Sequence, residues 1–89
     1  MTHIVIVEDE TRLRKDLVDF LGLCGFAASG VASAHELRQT LAAGKSPDVI
    51  ILDVGLPDGD GFELASQIRE THRCGIIMLT ALGGSDDRI

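Results

Sequence analysis

Positive charge is scarce in this chain of 89 residues. Lysine and arginine together number 8, against 14 aspartates and glutamates, and the formal net charge is −6. A surface of that sign repels phosphate backbones and anionic lipid headgroups. The charge balance therefore argues against direct binding to nucleic acid or to an anionic membrane, and it is consistent with a signalling or metal-binding module.

Long apolar runs are also lacking. The longest are five residues or fewer, far short of the roughly 20 that a membrane-spanning helix needs. No charged-then-apolar leader precedes the first apolar run, so the sequence predicts a cytoplasmic protein. The length predicts one small domain over residues 1–89.

Cysteine and histidine do not form a recognisable site. Cys24 and Cys74 lack the spacing of a redox or metal motif, and we interpret them as buried or half-buried thiols. His3, His35 and His72 fall on three different predicted elements and fit no metal triad. We expect these histidines to be solvated.

Two apolar runs end in carboxylates. Residues 4–7 lead into Glu8 and Asp9, and residues 49–52 lead into Asp53. Such runs are typical of buried parallel strands, whose carboxyl ends meet at one edge of a sheet. Three carboxylates that close together repel one another unless a divalent cation neutralises them. The pattern therefore predicts a hard-cation site, for which we expect Mg²⁺.

The first helix is predicted over residues 10–24. Apolar side chains recur there at helical spacing, and Gly25 follows as a stop signal. We expect the recurring positions to face the core. They are Leu13, Leu17, Phe20, Leu21 and Cys24.

Two more helices and two more strands complete the order. A weak strand is predicted at 26–30, and Ser33 with Glu36 forms a capping box that opens the second helix. A third helix precedes a fourth strand at 76–80. The inward positions of these two helices are predicted to be Leu37, Leu41, Phe62, Leu64, Ala65 and Ile68. The order βαβαβαβ predicts an α/β fold with a doubly wound parallel sheet.

Three groups of residues resemble the receiver domain of bacterial two-component response regulators. They are Glu8-Asp9, Asp53 with residues 56–61, and Thr80-Ala81. The resemblance implies a flavodoxin-like fold in which the strands lie in the order 2-1-3-4-5. This chain stops at Ile89, so we expect the order 2-1-3-4, with the family's fifth strand and last helices absent.

The resemblance also implies a role for each matching residue. Asp53 would accept a phosphoryl group from the phosphohistidine of a sensor histidine kinase. Asp9, Asp53 and the Gly55 carbonyl would hold Mg²⁺, and Glu8 would act mainly through water. Thr80 would donate its hydroxyl to the new phosphoryl group. The chain would then be a phosphoacceptor and not an enzyme.

The loop 55–61 and the segment 80–88 resemble the subfamily whose receivers precede a winged-helix DNA-binding domain. The resemblance implies transcriptional control in a parent protein, with DNA contacted only through an output domain absent here. The family's fifth strand ends in a lysine, whereas the lysines here are Lys15 and Lys45. The alternative is therefore a truncated, phosphotransfer-deficient receiver that acts as an interaction or dimerisation module.

A fourth strand at the sheet edge would expose unpaired backbone and apolar side chains. Two explanations stay open: self-association as a dimer or strand-swapped oligomer, or a chain that is part of a longer protein.

Three other site types fit poorly. An aspartate-nucleophile phosphohydrolase needs an acid at position 55, which is Gly55. A calcium loop would have Leu56 first and Gln67 last, where carboxylates are required. A dinucleotide-binding domain needs glycines directly after the first strand, where the chain is acidic.

Overall fold

The computed structural model describes residues 1–79. Three helices and six strands form in this range. In chain order they are β1 (His3–Val7), α1 (Thr11–Leu23), β2 (Ala27–Val31), α2 (Ala34–Ala42), β3 (Val49–Asp53), β4 (Gly55–Leu56), β5 (Gly59–Asp60), α3 (Gly61–Thr71) and β6 (Gly75–Leu79). Within residues 1–79, no helix has the length and apolar character required to cross a bilayer.

Four parallel strands form the main sheet in the order β2-β1-β3-β6. Since β6 is the fourth strand of that sheet along the chain, the predicted order 2-1-3-4 is confirmed. In the β1–β3 pairing, Val7 lies opposite Leu52. The next residue of each strand therefore emerges at the same edge, and these residues are Glu8 and Asp53.

The core lies between the sheet and the two helices α2 and α3. Alternate residues of β1 and β3 point to this side, because successive side chains of a strand face opposite ways. The buried cluster comprises Val5, Val7, Ala34, Leu37, Ile50, Leu52, Leu56, Leu64 and Ile68. The hydrophobic periodicity of α2 and α3 thus identified the main inward positions of both helices.

The predicted inward face of α1 is largely wrong. No residue of α1 is buried, and Leu13 and Phe20 are 40% and 60% exposed. Leu17 and Leu21 are half-buried, whereas Cys24 is exposed. The helix packs on β1 and β2, so its apolar stripe is wider than its contact with the sheet.

Phe62 is a second exception, with 56% of its surface exposed. The inward stripe of α3 begins one residue earlier, at Gly61, and continues at Leu64, Ala65 and Ile68. Those positions follow the spacing i, i+3, i+4 and i+7, which leaves Phe62 on the outer side.

Local end signals place α2 accurately. The Ser33 Oγ accepts the Glu36 N–H at 3.2 Å, and the Glu36 Oε1 accepts the Ala32 N–H at 2.8 Å. Ser33 therefore caps α2 as predicted, whereas Glu36 accepts the N–H of Ala32, the residue before the cap, and not the Ser33 N–H of a capping box. The loop predicted after Asp53 is more ordered than expected, because β4 and β5 pair there as a short antiparallel hairpin.

A polypeptide of these 89 residues alone should self-associate through β6. Among residues 1–79 this strand pairs only with β3, and Ile77 is 52% exposed. An apolar edge of this kind is a template for pairing with another copy. We expect light scattering to show a dimer or larger species that Ile77→Lys shifts toward monomer. Leu23→Lys, at the 87% exposed end of α1, should leave it unchanged. A stable wild-type monomer would contradict this account of the edge.

Candidate metal centre

Three carboxylates converge at the carboxyl edge of the sheet. Glu8 and Asp9 directly follow β1, and Asp53 is the last residue of β3. One oxygen from each lies within 4.8 Å of the others. Glu8 and Asp53 are buried, at 5% and 8% exposure, whereas Asp9 is exposed. The structure thus brings these three predicted site residues together.

The carboxylates line a cleft of about 490 Å³ that also includes Gly55. Three apolar side chains also line it, those of Leu13, Leu17 and Leu79. Helical spacing had marked Leu13 and Leu17 as inward-facing, but it could not indicate that they face a cleft. Apolar side chains beside the acids lower the local dielectric constant, which strengthens the electrostatic interactions between the acids.

Backbone groups hold the two buried carboxylates in place. The Glu10 N–H donates to Glu8 Oε2 at 3.0 Å, and the Gly55 N–H donates to Asp53 Oδ1 at 3.3 Å. The main chain at Glu8 is also hydrogen-bonded to the end of β2. The Glu8 N–H donates to the Val31 carbonyl at 3.0 Å.

The Glu8 carboxyl has a raised pKa. Burial is the largest cause, the Glu10 N–H partly offsets it, and the negative charges of Asp53 and Asp9 raise the pKa further. Holding Glu8 ionised in the metal-free protein therefore costs free energy. A bound cation would reverse that effect, because it favours the charged form of every nearby carboxylate.

Helix α3 begins in direct contact with the site. A side chain at Gly61 would place its Cβ 2.8 Å from the Val54 Cα and against the Asp53 carbonyl. Only glycine permits so close an approach. The Gly61 N–H donates to the Val54 carbonyl at 2.9 Å, and Asp60 caps the helix by accepting the Phe62 N–H at 2.9 Å.

Asp58 has a structural role that sequence reasoning missed. Its two carboxylate oxygens accept the N–H groups of Ala34 and His35 at 3.0 and 2.9 Å. These bonds lower the pKa of Asp58. Because the partners lie 23 and 24 residues away, no local sequence signal could have revealed them.

The donor set fits a hard divalent cation. Carboxylate oxygens and a backbone carbonyl are ligands that Mg²⁺ accepts, with water completing its six positions. Glu8, Asp9 and Asp53 supply such oxygens, and Gly55 lies in the same cleft. Thr80, the predicted switch hydroxyl, lies outside the described residues.

The sequence matches one protein-family model and is similar to curated proteins. Residues 4–89 match the family model described as the response regulator receiver domain. The KdpE transcriptional regulatory protein of the KDP operon in Escherichia coli is 41% identical over 91 residues, and the match covers 100% of this chain and 39% of that protein. CpxR of Klebsiella pneumoniae is 37% identical over 90 residues, covering 100% and 38%. The chain thus spans about two fifths of the length of these relatives.

Solved structures show the same fold. The response regulator TrrA of Thermotoga maritima, in complex with Mg²⁺ and BeF, has a TM-score of 0.84 at 31% identity, covering 92% of this chain and 71% of that one. The BeF₃-activated receiver domain of Klebsiella pneumoniae RstA has a TM-score of 0.83 at 29% identity, covering 96% and 71%. The flavodoxin-like receiver fold is therefore confirmed.

Without metal, Glu8→Gln should stabilise the protein at neutral pH. Glutamine keeps an acceptor for the Glu10 N–H but removes the buried charge. Since the pKa of Glu8 is higher in the folded than in the unfolded protein, protonation favours folding, and this contribution is lost as pH rises through the folded pKa. The gain in Tm should accordingly shrink as pH falls from the raised pKa of folded Glu8 into the ordinary range for glutamate, and it should be absent below that range.

Thermal melts in a chelator between pH 4 and 8 measure this effect. Asp16→Asn on α1 is the control, because it removes one negative charge from an exposed position. An equal gain in Tm in both variants would show that the stabilisation comes from the change in net charge and not from the removal of a buried charge.

Proposed function

The chain belongs to the response regulator receiver domain family, and we propose that it is the Mg²⁺-dependent phosphoacceptor of a two-component phosphorelay. The observation that carries the proposal is the convergence of Glu8, Asp9 and Asp53 within 4.8 Å in one cleft. Oxygen ligands and a carboxylate nucleophile are the two components that such a reaction requires.

Asp53 is the proposed phosphoacceptor. Its carboxylate ends β3, and the Gly55 N–H orients one of its oxygens. An Asp53 oxygen attacks the phosphorus of a phosphohistidine on a sensor histidine kinase. The new P–O bond forms an acyl phosphate as the P–N bond breaks, and the electron pair of that bond stays with the departing imidazole.

Four further residues complete the proposed site. Asp9, Asp53 and the Gly55 carbonyl would hold Mg²⁺, and Glu8 would act mainly through water. When bound, Mg²⁺ neutralises the carboxylates and spreads the negative charge that develops on the phosphoryl oxygens. The Thr80 hydroxyl then donates a hydrogen bond to the phosphoryl group, a role that rests on the family resemblance.

The output and the partners of the whole protein are also proposals. The relatives KdpE and CpxR are named as transcriptional regulatory proteins. We infer that a histidine kinase supplies the phosphoryl group and that a separate output domain contacts DNA, with the whole protein in the cytoplasm. The receiver itself would be a phosphoprotein and not an enzyme with turnover. The net charge of −6 supports DNA contact through another domain.

Mg²⁺ should bind at this edge of the sheet. We expect Asp53→Asn to weaken Mg²⁺ binding by about tenfold or more, since a charged ligand is lost. Asp48→Asn is a matched control, because Asp48 precedes the same strand at its opposite end and accepts the His3 N–H at 2.7 Å. Calorimetric titration measures both. Equal responses of the two variants would place the ion elsewhere.

Asp53 should be the one residue that takes a phosphoryl group. Incubation with a small acyl phosphate and Mg²⁺ should add one phosphoryl mass to the wild type and to Asp48→Asn. Chelation of Mg²⁺ or the Asp53→Asn change should abolish the addition. Intact-mass spectrometry measures it, and a label that survives Asp53→Asn would refute the assignment. Mg²⁺ binding without any phosphorylation would instead support the interaction-module alternative.

A further inference from the structure

The turn of the β4–β5 hairpin carries a carboxylate that reaches another part of the fold. Gly55 pairs with Asp60 and Leu56 with Gly59, so Pro57 and Asp58 form the turn. Both Asp58 oxygens accept hydrogen bonds from the first turn of α2. The hairpin also begins with Gly55, the residue that contacts the proposed phosphoacceptor.

This hairpin needs support from outside itself. Each of its strands has two residues, and isolated hairpins are at best marginally stable in water. The turn residues Pro57 and Asp58 both have negative φ. Two-residue hairpins favour turns with positive φ, which match the twist of the strands, and other turns splay them. Apart from the burial of Leu56, Asp58 provides the polar anchor.

The anchor point on α2 is specific. A helix begins with backbone N–H groups that have no partner inside the helix. Asp58 accepts two of them, from Ala34 and His35. Ser33 accepts the next two with its side chain and its carbonyl. The helix N-terminus also stabilises the negative charge of Asp58 through its dipole.

The same helix end is tied to the other acidic loop. The Glu36 carboxylate accepts the Ala32 N–H at 2.8 Å, and the preceding residue, Val31, accepts the Glu8 N–H at 3.0 Å. The start of α2 is therefore hydrogen-bonded to the hairpin that begins with Gly55. Through Ala32 and Val31 it is also linked to the segment that carries Glu8.

We propose that Asp58 is a positioning residue, which sets the Gly55 backbone for Mg²⁺ and for Asp53 by fixing the hairpin to the start of α2. This inference rests on the proposed function of the site. Asp58 does not touch the reacting atoms, since it acts through Gly55, three residues earlier in the hairpin. Its removal should loosen the Gly55 carbonyl and the N–H that orients Asp53.

Coupling of this kind is reciprocal. If the two Asp58 bonds favour Mg²⁺ binding, Mg²⁺ must strengthen those bonds by the same free energy. Amide hydrogen exchange at Ala34 and His35 reports the bonds directly. Mg²⁺ should therefore slow exchange at both amides in the wild type and should have little effect there once Asp58 is replaced.

Two substitutions at one helix end separate positioning from capping. Asp58→Ala and Ser33→Ala each remove side-chain acceptors from the start of α2, and both should lower Tm. Only Asp58→Ala cuts the link to the hairpin. We expect it to weaken Mg²⁺ binding by about tenfold, the lower end of the effect of outer-shell partners on metal affinity, and to slow phosphorylation of Asp53 similarly.

A third variant keeps the test decisive if Asp58→Ala does not fold. Asp58→Asn retains one carbonyl oxygen and hence one bond to α2, so its Mg²⁺ affinity should fall between the wild type and Asp58→Ala. Calorimetry, intact-mass kinetics and hydrogen exchange are run on all four proteins. Ser33→Ala should match the wild type in Mg²⁺ affinity despite its lower Tm.

The possible failures are distinguishable. If the wild type binds Mg²⁺ through Asp53 and is phosphorylated, but the Asp58 variants behave like it, the positioning role is refuted alone. If Ser33→Ala and Asp58→Ala lose Mg²⁺ affinity equally, Asp58 acts only as a helix cap. That result would also refute the proposal. A wild type that neither binds Mg²⁺ nor accepts a phosphoryl group would refute the proposed function itself.

Discussion

Mutual repulsion among Glu8, Asp9 and Asp53 is the constraint around which this edge of the molecule is arranged. Their oxygens lie within 4.8 Å, and no arrangement of that kind is favourable for three unneutralised carboxylates. The free energy that holds them there comes from the pairing and burial of β1 and β3. Val5, Val7, Ile50 and Leu52 are all fully buried, so moving the backbone of Glu8 away from that of Asp53 would require separating the centre of the sheet.

The pairing register of these strands determines which side chains meet. Val7 opposite Leu52 places Glu8 beside Asp53. A slip of one residue would exchange the two faces of the strand, moving Asp53 to the side occupied by α2 and α3 and bringing Leu52 out of the core. The same apolar side chains that stabilise the sheet thus specify the geometry of the site.

The sequence predicted the structure correctly where the pattern lies within a few consecutive residues. The apolar runs of β1 and β3 predicted their carboxylate ends, and Ser33 with Glu36 predicted the start of α2. Alternation of helix and strand predicted a parallel, doubly wound sheet through general rules of chain connection, and the family resemblance implied the order of its strands. Errors arose where a helix face meets less of the sheet than its periodicity suggests, as at Leu13 and Phe20, or where the inward stripe begins one residue earlier, as at Phe62.

Non-local contacts were beyond such reasoning. The sequence places Asp58 in a loop that matches the family motif, but it does not predict the partners of Asp58 on α2, which lie more than 20 residues away. Glu8 and Asp53 lie even farther apart in the sequence, yet their convergence was predictable. The difference is that strand ends have a defined position in a parallel sheet, whereas a loop carboxylate has no expected partner.

The contact at Gly61 limits movement of the start of α3 both toward the end of β3 and away from it. Steric contact with the Asp53 carbonyl and the Val54 Cα prevents the start of α3 from moving closer, and the hydrogen bond from the Gly61 N–H to the Val54 carbonyl resists separation. The end of β3 and the start of α3 are therefore held at a fixed separation. The chain between them is a loop fixed at both ends, so a displacement of the Asp53 backbone would be passed to the hairpin at residues 55–60 and to the first turn of α3.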